Sequence, residues 1–310
     1  MCYMSHMRIG AVDLGTNSTR LLVADVDRVG GVTEVVRRLA ITRLGEGVDM
    51  HHELLPAAMS RVHAVLDGYA AEAAALGSER VLAVATSAVR DAANGSAFLA
   101  DLGRRYGWET RLLDGEQEAE TTFSGVTSDR SLETDTLMVD IGGGSTELLV
   151  GGPAGVSFAT SLQLGCVRVT ERYLATDPPT ARELDAAAAH ARSLLPPLSV
   201  ATAIGVAGTI TTLAAIDLGL EEYDPVRIHG HPISAHAVDD ALRSLSGMPL
   251  AARERVKGLE PARAPVIVGG LIVLREILDR YDLDVIEASE RDILHGTAIA
   301  AADLDLKPPV

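Results

Sequence analysis

Short apolar runs broken by glycine and small polar residues open the chain. Residues 8–14 and 19–26 flank the turn Gly15-Thr16-Asn17-Ser18, and 31–42 is a third run of strand character. Together they predict an antiparallel meander. Apolar residues then recur at helical spacing over 52–76, closed by Gly77. The compact run 81–85 predicts a buried strand, followed by a polar helix start at Thr86-Ser87. A further strand is expected over 109–113, leading into a helix from about Glu116.

Residues 126–135 are polar and turn-rich, which marks a boundary, and beyond them the pattern starts again. Strands are expected at 137–141, 146–150 and 155–161, then helices over 167–174 and 180–195. The order β-β-β-α therefore recurs, and the letters recur with it. Val12-Asp13-Leu14-Gly15-Thr16-Asn17-Ser18-Thr19-Arg20-Leu21-Leu22-Val23 aligns with Val139-Asp140-Ile141-Gly142-Gly143-Gly144-Ser145-Thr146-Glu147-Leu148-Leu149-Val150, with eight of twelve positions identical. Such self-similarity predicts a duplicated domain whose halves face each other.

Composition fits that reading. A chain of 310 residues, 47% hydrophobic, suffices for two domains at about 150 residues each, meeting at a cleft. The two cysteines, Cys2 and Cys166, lie far apart, in no metal-binding or redox spacing. The stretch before Arg8 is too short and polar for a signal peptide, and no run reaches the ~20 apolar residues of a membrane span. A soluble cytoplasmic protein is expected, with Met1 to Met7 an extension that carries no chemistry. A net charge of −16 argues against nucleic acid, whose binding rests on clustered Lys and Arg. It leaves room for a phosphate substrate in a locally positive cleft.

The two hairpins suggest the chemistry. Each carries an Asp at the end of its first strand, a turn of glycine or small residues, and Ser-Thr opening the second strand. Glycine lets backbone N–H groups approach phosphate oxygens, and the hydroxyls of Ser18 and Ser145 add donors. Asp13 and Asp140 cannot donate to phosphate; their roles are to bind a divalent cation or to orient the attacking water. A third turn, Gly205-Val206-Ala207-Gly208-Thr209, joins a strand at 202–206 to a helix from near Thr209, a ready anion site. Alone, each turn is also an ordinary structural turn.

AVDLGTNSTRLLVADV, ATSAVRDAANG, LDGEQEAE, MVDIGGGSTEL, LGCVRVTE, GVAGTITTLAA and the closing SERDILHGTA resemble, in order, the exopolyphosphatase/guanosine pentaphosphate phosphohydrolase family, over about residues 8–302. The resemblance implies an α/β fold of two ribonuclease H-like domains of the actin and acetate/sugar kinase superfamily with an interdomain cleft. It sets them at 8–130 and 131–293, with a C-terminal helix over 294–310 packing back on the first. It also implies that Gly15, Thr16, Asn17, Ser18 and Gly142, Gly143, Gly144, Ser145 bind phosphate, with Ser87, Arg90, Gly208 and Thr209. Asp13, Asp140 and Glu147 become the ligands of Mg²⁺ or Mn²⁺, and Asp13 and Asp140 join Glu118 in catalysis. Glu118, before Ala119 in Asp114-Gly115-Glu116-Gln117-Glu118-Ala119, takes the general-base role, with Glu116 the alternative. Without the resemblance, this run is a solvated acidic first helical turn, Arg90 pairs with a neighbouring carboxylate, and Glu147 is a strand residue whose place Arg20 fills in the first repeat.

Three functions remain open at this level: an exopolyphosphatase, a guanosine pentaphosphate 5′-phosphohydrolase, and a non-catalytic alarmone or polyphosphate sensor. Three Phe, six Tyr and one Trp leave little for stacking on a base, and retention of Glu118 and Glu147 argues against the sensor. Arg253, Arg255, Lys257 and Arg263 form the densest basic region, suited to a distal phosphate or to a solvated face. His229 and His231 lack a carboxylate partner nearby in sequence and are not taken as metal ligands. Ala264-Pro265 stands where relatives often show Ala-Asp. The chain matches the family's short form, with a preference for short polyphosphates; a homodimer is expected by resemblance.

Overall fold

The computed structural model describes residues 6–302, which fall into two compact units. One takes in the described residues of Met1–Ser131 and Arg291–Val310; the other is Leu132–Glu290.

The first unit is built on a five-stranded sheet: β1 (Met7–Leu14), β2 (Ser18–Val26), β3 (Val32–Ile41), β4 (Arg80–Ala85) and β5 (Glu109–Leu112), in the order β3-β2-β1-β4-β5. β1, β2 and β3 are antiparallel neighbours, whereas β1, β4 and β5 run parallel. The central strands are covered on both faces, so Ile9 to Leu14 of β1 are buried without interruption. Helices Pro56–Ala75 and Gly95–Tyr106 pack against Val12, Leu14, Ala83 and Ala85 on one face. On the other, Ile293, Leu294, Ala298 and Ala301 of helix Ile293–Ala302 pack against Ile9, Ala11, Leu82 and Val84. Edge strand β3 exposes Glu34, which with Arg37 and Arg38 makes it a poor template for further pairing.

The second unit repeats the plan. Its strands are β6 (Thr136–Ile141), β7 (Thr146–Gly152), β8 (Gly155–Leu162), β9 (Ala203–Val206), β10 (Pro232–Ser234) and β11 (Val285–Ala288), in the order β10-β11-β9-β6-β7-β8. Read from β8, the order matches that of the first sheet, with β11 in the place of β5 and the three-residue β10 added antiparallel at the edge. Helix Ile267–Tyr281 is buried almost all round and, with Ala207–Asp217, supplies much of the core.

Local chemistry sets the departures from the sequence reading. The helix expected from residue 52 starts at Pro56, because His52 adopts a left-handed conformation (φ 55°) and Pro56 sits at the first helical position, where its missing N–H costs nothing. The helix after β9 begins at Ala207 rather than Thr209. Residues 303–310 of the expected C-terminal helix, and residues 1–5 of the N-terminal extension with Cys2, lie outside the described residues. No helix among the described residues is long and apolar enough to cross a membrane.

Candidate active site

Both strand–turn–strand units fold alike. In the first, the Gly15 amide donates to the Ser18 carbonyl at 3.0 Å and closes the turn; in the second, Gly142 donates to Ser145 at 3.0 Å. The turn carbonyls are then taken by chain far along in sequence. Thr42 and Arg43 amides donate to the Asn17 carbonyl, and Gly45 to Thr16, at 2.8–3.1 Å. Gly165 donates to Gly144, Cys166 to Gly142, and Val167 to Gly143, at 2.9–3.1 Å. Among the described residues, the amides of Thr16 and Asn17, and of Gly143, Gly144 and Ser145, meet no backbone carbonyl. Turns whose acceptors are consumed and whose donors are left over are cradles for an anion.

Close approach explains the glycines that seat these turns. A Cβ on Gly165 would lie 2.2 Å from the Gly143 carbonyl oxygen, and one on Gly45 2.2 Å from Cγ2 of Thr16. Gly45 does not stand out in the sequence, and Gly165 appears only as part of LGCVRVTE with no role of its own, because the contact each must make is tertiary. Arg168, one helical turn beyond Gly165, adds Nε to the Gly144 carbonyl at 2.7 Å.

The first unit also gathers the expected water-activating group. Helix Gly115–Val126 opens with a capping box between Asp114 and Gln117. Glu118 follows on its inward side, 6% exposed, while Glu116 is solvated. Arg90 Nη1 donates to Glu118 Oε2 at 3.1 Å and to the Leu113 carbonyl at 2.8 Å. Arg90, expected on phosphate, thus steadies the Glu118 carboxylate. Ser87 Oγ is buried with no hydrogen-bond partner, an unmet need that a phosphate oxygen could satisfy.

The carboxylates divide by unit. Asp13 pairs in register with Arg20 across β1 and β2, and Asp140 with Glu147 across β6 and β7. Asp13 Oδ2 accepts from Arg20 Nε at 2.9 Å and Nη2 at 2.7 Å, so a guanidinium stands where a cation was expected. Burial pushes the Asp13 carboxyl up, against the pull of Arg20. Glu147 Oε1 accepts from the Ser161 hydroxyl at 2.6 Å. Among the described residues no three His, Cys, Asp or Glu side chains converge on a metal site. Two opposed carboxylates fit a hard divalent cation that fills its other positions with water and phosphate oxygens; they do not form an all-protein cage.

At the third turn, Ala207 has φ 65° and a Cβ on Gly208 would fall 1.5 Å from Arg263 Nη1. The guanidinium therefore lies on the backbone at the start of helix Ala207–Asp217, where the helix dipole is also positive. Thr209 is buried beside the Cys166 thiol, which burial pushes up to about 11.

The basic region does not form one face. Arg253 is buried and donates to Asp177 Oδ1 at 2.5 Å, Lys257 lies 3.1 Å from Glu221, and Arg263 Nε donates to Glu260 at 3.1 Å. His231 lies 2.7 Å from Asp217 and His229 accepts the Glu290 amide at 3.2 Å, both in structural contacts.

Two α/β sheets of matching order, each ending its first strand in an amide-lined turn, define a duplicated protein of the ribonuclease H-like class. The chain belongs to the Ppx/GppA phosphatase family, whose pattern spans residues 22–303. It is 38% identical over 319 residues to Exopolyphosphatase 2 of Mycobacterium tuberculosis, an alignment covering 96% of this chain and 100% of that protein. It is 28% identical over 304 residues to the guanosine-5'-triphosphate,3'-diphosphate pyrophosphatase of Vibrio atlanticus, covering 94% of this chain and 59% of that one. The crystal structure of the Aquifex aeolicus Ppx/GppA family member superposes with a TM-score of 0.81 at 29% identity, covering 98% of this chain and 100% of that one. The protein is accordingly a hydrolase of phosphoanhydride bonds within the exopolyphosphatase family.

Proposed function

We propose that the protein removes the terminal phosphate of inorganic polyphosphate and releases orthophosphate. The observation that carries the reading is that each unit has a turn with leftover amides, at Thr16 and Asn17 in the first and at Gly143 to Ser145 in the second, which suit the oxygens of an anion such as phosphate. A ligand made only of phosphate is met by such a turn without a base-binding surface. Full-length likeness to a protein named Exopolyphosphatase 2 supports it.

Water attacks the terminal phosphorus in line with the bridging oxygen, the phosphoanhydride bond breaks, and the shortened chain leaves with the bridging oxygen. Glu118, buried and held by Arg90, orients that water and takes its proton. The turn amides and the Ser87 hydroxyl hold the phosphate oxygens. Asp140 and Glu147 would hold Mg²⁺ or Mn²⁺, which neutralises phosphate charge.

Orthophosphate release from tripolyphosphate, long-chain polyphosphate and guanosine pentaphosphate, with Mg²⁺, tests the reading. Release from polyphosphate that falls by about 100-fold or more in Glu118→Gln, at matched folding, supports it. Release from the nucleotide alone would replace it with the pentaphosphate reaction, and tight binding without release would make the protein a sensor.

A further inference from the structure

Arg20 spans two buried carboxylates of the first unit. Its Nε and Nη2 grip Asp13 Oδ2, and its Nη1 donates to Asp292 Oδ2. Asp292 is 2% exposed and is held from every side. Arg37 Nη2 of β3 reaches the same Oδ2 at 2.8 Å, the Leu294 amide donates to Oδ1 at 3.0 Å, and the Asp292 amide donates to His295 Nδ1 at 3.3 Å. His295 in turn bonds Glu34 of β3 through Nε2 at 2.9 Å. Two carboxylates, Asp13 and Asp292, thus face two guanidiniums, Arg20 and Arg37, in balance.

The asymmetry of that cluster matters. Burial alone would raise the Asp292 carboxyl, but Arg20 and Arg37 hold it well below its ordinary value. Asp13 has only its share of Arg20 and also feels the charge of Asp292. Asp292 is the fixed anion, then, and Arg20 is the arm it fixes. A planar guanidinium anchored at one nitrogen cannot rotate without releasing the other carboxylate.

We infer that Asp292 is a positioning residue for the phosphate turn of the first unit: by anchoring Arg20 it keeps the guanidinium on Asp13 Oδ2 and directs the remaining oxygen of Asp13 toward the substrate. The inference rests on the reading of Gly15–Ser18 as a phosphate turn. Without the anchor the Arg20 guanidinium can rotate, and Asp13 loses its set orientation beside the reacting phosphate.

The test compares full-length wild type, Asp292→Asn, Arg20→Lys, their double variant and the control Arg38→Gln, each at known folded concentration. Phosphate release from tripolyphosphate is one readout, and the Arg20 Nε–H NMR signal is the other. The Arg8 Nε–H, bonded to Asp25 at 2.8 Å, serves as the NMR control. Asp292→Asn and Arg20→Lys are each expected to lower kcat by about 10-fold or more with little change in KM, while the double variant falls no further than the worse single. Arg38→Gln keeps wild-type kcat, since its side chain reaches Glu72 and neither of the two buried carboxylates. The Arg20 signal exchanges with solvent in Asp292→Asn and the Arg8 signal does not.

Wild-type kcat together with a retained Arg20 signal in Asp292→Asn would overturn the inference, as would multiplicative losses in the double variant. If Asp292→Asn does not fold, Asp292→Glu, which keeps the charge but displaces the carboxylate by one methylene, decides by the same two readouts: a lowered kcat with an exchanging Arg20 signal supports the anchoring, and wild-type kcat with a retained signal overturns it. A wild type that releases no phosphate sinks the phosphatase reading, and the NMR signal still decides the anchoring.

Discussion

Gly165→Ala is the sharpest test of how the turn at 142–145 is seated. Gly165 has φ −100°, open to any residue, so alanine brings no backbone strain. The added Cβ would lie 2.2 Å from the Gly143 carbonyl oxygen, 2.3 Å from its carbon and 2.4 Å from the Gly144 nitrogen. All three are backbone atoms that no rotamer change can move. Reaching an ordinary contact of about 3.4 Å requires about 1 Å of displacement in the turn. That movement works against the bonds from Gly165 to Gly144, Cys166 to Gly142 and Val167 to Gly143. Overpacking costs about 1–3 kcal/mol and each weakened bond up to about 1 kcal/mol, so a loss of about 2–4 kcal/mol is expected in urea unfolding. On the proposed phosphate role of the turn, a displacement of about 1 Å should lower kcat/KM for tripolyphosphate by about 100-fold. An alanine variant with wild-type unfolding midpoint and wild-type kcat/KM would refute both the seating and the phosphate role of the turn.

Other expectations follow from single sites. Gly68 lies on the exposed side of helix Pro56–Ala75, where an added methyl would meet nothing within 4 Å, so Gly68→Ala should stabilise the protein by about 0.5–1 kcal/mol without altering activity; a lower urea midpoint would contradict this. Glu183 is held down to about 2 by the Thr176 hydroxyl and the Thr180 amide and hydroxyl. A depressed carboxyl stabilises fully above its ordinary value of 4.5 and loses that contribution as pH falls toward 2, so NMR titration should find Glu183 ionised at pH 3.5. The Cys166 thiol, pushed up to about 11 by burial, should resist iodoacetamide at pH 8 in the native protein and react once unfolded, as read by mass spectrometry of its peptide.

The turns are legible in the sequence because their signals are local: glycine and hydroxyl residues between apolar runs, written twice. The repeat of Val12-to-Val23 in Val139-to-Val150 points to two sheets, whose matching orders the structure displays. Partners are not legible. Nothing in the sequence near Asn17 points to Thr42 and Arg43 as the amides that take its carbonyl, and Asp292 lies 272 residues from Arg20. Arg20 reads in sequence as a mere mismatch to Glu147, although it places a guanidinium beside Asp13 where the second hairpin sets a carboxylate beside Asp140. β10 and β11, of three and four residues among long helices, carry too few positions for period-two alternation to register. The basic segment misleads because charge density in sequence says nothing of direction, and Arg253 turns inward to Asp177.

The first unit is closed by a segment from the far end of the molecule, since Ile293, Leu294, Ala298 and Ala301 complete the apolar face of its sheet. During synthesis the strands made first must therefore wait, with Ile9, Ala11, Leu82 and Val84 uncovered on that side, while the contiguous second unit is made in one stretch. Chains released before residue 291 would display that bare sheet face to chaperones and proteases, so quality control can distinguish a finished molecule from an interrupted one by the first half of the sequence alone.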